Sequence, residues 1–116
     1  FAIVGSGGDG VITTGDMLAQ AGASVGLHVM KVEAYGPQIR GGESSCTVRV
    51  SADPIFAQGD SVQVLVVFNW ADFAQFRNEI VTSPDAVVLF EETDETPREE
   101  IDLGPNTDDV RLVQCP

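Results

Sequence analysis

FAIVGSGGDGV, residues 1–11, runs from a short apolar stretch into four glycines within six positions. Phe1 to Val4 have the unbroken apolar character of a buried strand. Gly5, Gly7 and Gly10 fit the GxGxxG spacing, Gly8 adds a fourth glycine, and a helical pattern begins at Gly10. Strand, glycine-dense loop, helix is the opening unit of an α/β protein. Such a loop offers free N–H groups and the positive end of a helix dipole, which suit an anion. Missing side chains let its backbone come close to a phosphate. The same loop also serves as a tight turn that seats a helix on a sheet, so the motif by itself leaves both readings open.

The segments after the loop decide between them. Gly10 to Val25 reads as a helix, with Val11, Leu18, Ala21 and Val25 on the core face. Gly22 lies on that face and would let the helix sit close to the sheet, and Gly26 is a natural stop. Leu27 to Tyr35 reads as the second strand. Glu33 stands near its end, where a dinucleotide-binding unit carries the acid that holds a ribose. Such a unit then continues through a crossover helix to a third parallel strand. Here residues 36–43, GPQIRGGE, form a breaker-rich loop, and Ser44 to Ala52 alternates at once. Cys46, Val48 and Val50 face one way and Thr47, Arg49 and Ser51 the other, as in a half-buried antiparallel strand. There is no room for the crossover helix, which weakens the NAD reading.

Val62 to Asn69 is the most apolar run and is expected to be a central strand. Residues 70–81 read as a helix, with Trp70, Phe73, Phe76 and Ile80 inward, Asn69 as N-cap and Asp72 in the first turn. Residues 85–92, DAVVLFEE, are the next strand. Residues 91–109 are acidic and turn-rich, a solvated connection rather than core, and a last short strand follows from Val110. The expectation is one α/β domain over residues 1–116, a three-layer α/β/α arrangement with a mixed, mostly parallel sheet and a Rossmann-like start. The chain begins inside a strand without Met, so it reads as a piece of something longer.

Charge is unevenly placed. Up to Gln58 there are five acidic and three basic side chains, and from Gly59 onward thirteen and three, within a total of −12. The net charge argues against a nucleic-acid or anionic-membrane surface, yet the half with the glycine loop is near neutral and open to an anion. No apolar run spans a bilayer and no signal peptide is visible, so the protein reads as cytoplasmic. Two cysteines without CxxC spacing give neither a zinc cage nor a cluster ligand set, and Cys46 reads as a buried thiol. His28 is the one histidine, in an apolar strand, and no nucleophile–base pair is evident. Catalytic residues and metal ligands are therefore not expected in this chain.

The candidate binding residues gather at the mouth of the sheet. Arg40 is the best anion partner of the neutral half, since a guanidinium grips phosphate in a forked geometry; a surface pair with Glu43 would explain it as well. Ser44 and Ser45 are either donors or plain strand-start residues. Asp9 either orients a ligand or favours the turn. Asn69 ends the central strand, where open α/β sheets present ligand groups, and its cap role accounts for it equally.

With GSGGDGV at 5–11 and YGPQIRGGESSCTVRVS at 35–51, the sequence resembles the γ domain of 2-oxoacid:ferredoxin oxidoreductases. The resemblance extends from Phe1 to about Phe90. It implies a domain of an enzyme that oxidatively decarboxylates a 2-oxoacid with coenzyme A, giving acyl-CoA, CO2 and reduced ferredoxin, or runs the reverse carboxylation. Thiamine diphosphate, Mg2+ and 4Fe–4S clusters would then lie in other α and β domains or subunits, with ferredoxin as a further partner. The wording GSGGDGVITTGDMLAQAG at 5–22 looks most like fused α/γ forms acting on 2-oxoglutarate rather than pyruvate. On this reading Gly5, Gly7, Gly8, Gly10, Arg40, Gly41, Gly42 and Asn69 help form the coenzyme A side of the site. The rival readings are a nucleotide-binding module dependent on Glu33 and an assembly domain with an apolar interface at Tyr35, Ile39 and Trp70.

Overall fold

A computed structural model describes residues 1–6, 10–35, 43–56, 59, 61–76, 79–91, 101, 103–104 and 109–115. Among these, eight elements follow one another: β1 (Ala2–Ser6), α1 (Val11–Ser24), β2 (His28–Tyr35), β3 (Glu43–Ser51), β4 (Val62–Val67), α2 (Trp70–Phe76), β5 (Thr82–Glu91) and β6 (Arg111–Cys115). The strands form one sheet in the order β2-β3-β1-β4-β5-β6. β3 runs antiparallel to both β1 and β2, whereas β1, β4, β5 and β6 pair in parallel. The mixed, mostly parallel sheet expected from the sequence is thus formed.

Alternation along β1 builds two cores at once, because successive side chains point to opposite faces. Ile3 faces α1 and joins Val11, Cys46 and Val48 in a buried cluster. Ala2 and Val4 face the other way and join Leu65, Val67, Trp70, Phe73, Phe76 and Val88. One helix covers each face, which makes the three layers. β4 lies inside the sheet as its apolar run predicts, and Cys46 and Val48 are fully buried on the predicted side of β3.

Helix α1 differs from its predicted face. Val11, Gly15 and Gly22 are buried and Leu18 is half-buried, a stripe at i, i+4, i+7 and i+11. Ala21 is exposed because it lies off that stripe, and Val25 is exposed because it is the C-cap, where the chain already turns away. A Schellman pattern ends the helix, with Leu27 N–H donating to Gly22 O (3.1 Å) and Gly26 N–H to Ala23 O (3.0 Å). Gly22 is close to the sheet as predicted: a Cβ there would stand 3.0 Å from Val29 Cγ2.

The second half also departs in places. α2 is seven residues long, shorter than the apolar spacing implied, although Ile80 is buried where that spacing puts it. β5 begins at Thr82 rather than Asp85. Its partners on β4 run from Val62↔Thr82 directly to Val64↔Val87, and Pro84, which has no N–H for a ladder, falls inside that interruption. The acidic connection is not wholly solvated. Leu103 is 3% exposed within the α2-side core and Ile101 packs against that core, so two apolar residues at the end of a charged segment anchor it.

Candidate functional site

The carboxyl ends of β1, β2 and β4 lie at one end of the sheet, and β3 begins between the first two of them. The register places Ser6 opposite Glu43, Gly5 opposite Ser44, and Tyr35 opposite Ser44 from the other side. Val4 pairs with Val67, and Phe68 N–H donates to Val4 O at 2.8 Å. The residues that flank the glycine loop, the residues that flank segment 36–42, and Asn69 therefore share one end of the sheet. Gly7, Gly8, Arg40, Gly41 and Gly42 themselves lie outside the described residues, as do Asp9 and Ile39.

Gly5 is buried as the fourth residue of β1. Gly10 stands at the N-cap of α1 with φ 87° and ψ 20°, and no side chain caps that helix. Its carbonyl accepts from both the N–H and the hydroxyl of Thr14, each at 2.8 Å. A Cβ on Gly10 would meet nothing within 4 Å, so its requirement for glycine is the left-handed backbone rather than crowding. Gly10→Ala should therefore cost about 1–2 kcal/mol in urea unfolding and Gly10→Asn less, because asparagine visits this region more readily. Equal stability of the alanine variant and the parent would contradict that account.

Asn69 is the N-cap expected of it. Its Oδ1 accepts from the N–H of Ala71 (2.8 Å) and of Asp72 (3.3 Å). The cap occupies the carbonyl oxygen, so its amide nitrogen is what could serve a ligand. Asp72 accepts a hydrogen bond from the Ser6 hydroxyl, which ties the end of β1 to the first turn of α2. Ser44 and Ser45 are each 5% exposed, strand residues within the sheet rather than surface groups.

Glu33 occupies a different place from the ribose-holding acid of a dinucleotide site. That acid ends a strand parallel and adjacent to the first one, whereas here the antiparallel β3 separates β2 from β1. The Glu33 carboxylate is also engaged. Oε1 lies 2.9 Å from Lys31 Nζ and Oε2 accepts from Tyr35 Oη at 2.8 Å. Lys31, and then the tyrosine, hold this carboxyl below its ordinary range. Lys31 in turn bridges to Asp16 on α1, and the two carboxylates raise its pKa. Lys31 and Glu33 share a strand face at i, i+2, a signal legible in the sequence, but only the seating of α1 brings in Asp16.

The two cysteines are on distant parts of the sheet: Cys46 on β3 beneath α1, Cys115 on the edge strand β6. Burial pushes the Cys46 thiol up and keeps it neutral. A 4Fe–4S cluster takes four thiolates, so these residues do not fit one. A cavity of about 440 Å³ lies where β3 ends and β4 begins, away from the glycine loop, lined by Phe1, Arg49, Val62 and Val64 among others. Thr47, Val48 and Val50, like Arg49 at the end of the 35–51 motif, line it as well. No described helix is long and apolar enough to cross a membrane.

Comparison with known proteins places this geometry. The sequence model of the pyruvate ferredoxin/flavodoxin oxidoreductase family matches residues 1–116. Ketoisovalerate oxidoreductase subunit VorA of Methanothermobacter thermautotrophicus is 37% identical over 92 residues, 78% of this chain and 19% of that one. The 2-oxoglutarate synthase subunit KorC of Archaeoglobus fulgidus is 47% identical over 79 residues, 67% of this chain and 42% of that one. Among solved structures, a 2-oxoglutarate:ferredoxin oxidoreductase from Magnetococcus marinus, with 2-oxoglutarate, coenzyme A and succinyl-CoA bound, matches with a TM-score of 0.78 at 28% identity. That match covers 96% of this chain and 18% of the other. The gamma subunit of a keto/oxoacid ferredoxin oxidoreductase from Geobacter sulfurreducens shares the fold, with a TM-score of 0.65 at 20% identity. The chain spans about a fifth of VorA and under half of KorC.

Proposed function

The chain belongs to the pyruvate ferredoxin/flavodoxin oxidoreductase family, and from that membership we propose that it serves as the γ-type domain of a 2-oxoacid:ferredoxin oxidoreductase. The assembled enzyme would oxidatively decarboxylate a 2-oxoacid with coenzyme A to acyl-CoA and CO2 and pass the electrons to ferredoxin. Thiamine diphosphate with Mg2+ would supply the decarboxylation chemistry from another domain, and iron–sulfur clusters the electron path. The α and β domains or subunits that carry them are the partners of this chain.

The part of this chain is to complete the coenzyme A side of the site. The observation that carries this reading is the convergence of Gly5, Tyr35, Glu43 and Asn69 at one end of the sheet. Both motif segments leave from that end. On this reading backbone N–H groups of the glycine loop and the guanidinium of Arg40 would receive a phosphate. 2-Oxoglutarate is the favoured 2-oxoacid, supported by the whole-chain likeness to an enzyme solved with 2-oxoglutarate and coenzyme A. A branched 2-oxoacid is the second reading, supported by the likeness to ketoisovalerate oxidoreductase subunits.

Arg40→Ala in the assembled enzyme is expected to raise KM for coenzyme A roughly tenfold and leave KM for the 2-oxoacid in place, as loss of a phosphate contact does. Anaerobic dye reduction with 2-oxoglutarate, ketoisovalerate and pyruvate measures this and ranks the substrates in one experiment. An unchanged KM for coenzyme A alongside failed assembly would assign the segment to subunit contact instead.

A further inference from the structure

The cavity between β3 and β4 has the form of a slot one strand wide. β1 lies between these two strands, and its ladder with β3 reaches as far as Phe1. The Phe1 nitrogen donates to Val48 O at 2.9 Å, and its carbonyl accepts from Val48 N–H at 2.8 Å. β3 runs on through Arg49, Val50 and Ser51, and β4 begins at Val62, before Leu65, the residue opposite Ala2. Two strands that flank a third stand roughly 9–10 Å apart, one strand spacing on either side. From Phe1 outward, the place between them is the cavity of about 440 Å³, with Val48 and Val50 on one wall and Val62 and Val64 on the other.

The walls carry their own hydrogen-bonding groups. In an antiparallel pair every second residue turns its N–H and C=O to the same neighbour, so Val50, two after Val48, aims both into the cavity. No residue of β1 reaches them. A site walled by main-chain edges suits an extended polypeptide, which satisfies such groups along its length, better than a compact ligand. The Phe1 nitrogen indicates where that polypeptide comes from. It holds the position of a ladder amide at the edge of the cavity, and burial lowers its pKa. Such a place disfavours an ammonium and accepts a peptide N–H.

We propose that the cavity is the seat of the residues leading into Phe1 in the full-length polypeptide, which extend β1 between β3 and β4, antiparallel to the first and parallel to the second. The register continues from Ala2↔Thr47 and puts the residue directly ahead of Phe1 opposite Arg49, and the one before it opposite Val50. Alternation turns the latter to the α1 side, where Val50 packs against the cluster of Ile3, Val11, Cys46 and Val48. An apolar side chain belongs there. This segment enters at the end of the sheet opposite the glycine loop, and the inference is independent of the coenzyme A reading.

Amide hydrogen exchange on the full-length polypeptide, compared with a form that starts at Phe1, tests this. In the full-length form the Val50 N–H should exchange within about tenfold of the Val48 N–H, and trimming to Phe1 should speed it about a hundredfold. Fast exchange at Val50 in the full-length form overturns the proposal. So does equal protection in both forms, because the strand in the cavity would then come from elsewhere. Should the trimmed form not fold, a cross-link decides. The pair after Phe1↔Val48 is a non-hydrogen-bonded one, with Cα atoms about 4.5 Å apart, within disulfide reach. Arg49→Cys, with a cysteine placed directly ahead of Phe1, should close a disulfide in the full-length form under mild oxidation, read by mass spectrometry of the digest. Absence of that bond overturns the register and the proposal with it.

Discussion

Trp70→Ala should remove about 3–5 kcal/mol of stability, the range for emptying an aromatic from a packed core. The indole is 4% exposed in the α2-side cluster. It meets Phe73 edge-on, with ring centroids 5.7 Å apart at 89°, and Phe90 of β5 at 5.7 Å and 51°. Aromatic pairs of this kind add about 0.5–1.5 kcal/mol each to area burial. Domains of this size hold only about 5–15 kcal/mol in total, so the loss is a large part of the whole. The consequence reaches the site, because Trp70 is the first residue of α2 and follows the cap Asn69 directly. Trp70 shares the seating of this short helix with Phe73 and Phe76. Its first turn carries Asp72, the partner of Ser6 at the end of β1. Trp70→Phe keeps a ring in the pocket and should cost clearly less. Urea unfolding of the chain checks both; a cost below about 1 kcal/mol for the alanine variant would mean that α2 is held from elsewhere.

Features that repeat within a few residues were legible in the sequence. The alternation of Cys46, Val48 and Val50 marked β3 and its buried side, and the step from β2 into β3 without a crossover helix weakened the dinucleotide reading before any topology was known. Asn69 and Asp72 marked the start of α2, and Trp70, Phe73, Phe76 and Ile80 marked its face. Features without a repeat were missed. Leu103 and Ile101 stand in an acidic run, and only the finished core shows them packed. The start of β5 at Thr82, three residues before the expected Asp85, shows only in its pairing with Val62. Asp16 and Lys31 are fifteen residues apart and meet only because α1 lies over β2. Of the candidate site, the gathering of Tyr35 and Asn69 at the mouth of the sheet was expected from the strand ends, whereas the insertion of β3 between β1 and β2 is a matter of strand order, which periodicity does not carry.

Gly15 shows how tightly that helix lies, and its replacement should act against the usual preference. In a helix interior alanine is favoured over glycine by about 1 kcal/mol. At this position a Cβ would stand 2.3 Å from Cys46 Sγ and 3.2 Å from Cys46 Cβ. Cys46 is fully buried, fixed between Ile3 of β1 and Glu33 of β2 in the ladder, so its sulfur has little space to yield. Helix α1 must lift instead, and overpacking of this kind costs about 1–3 kcal/mol. We expect Gly15→Ala to destabilise the chain by about that amount. Lifting α1 also moves Asp16 away from Lys31 of β2. Cys46→Ala alone should cost about 1 kcal/mol for the small cavity it leaves. Combined with Gly15→Ala it removes the sulfur from the clash, and the pair should recover most of the stability, a non-additivity of about 2 kcal/mol. If Gly15→Ala proves as stable as the parent, or the two substitutions simply add, then helix α1 and strand β3 are not in close contact at Gly15 and Cys46.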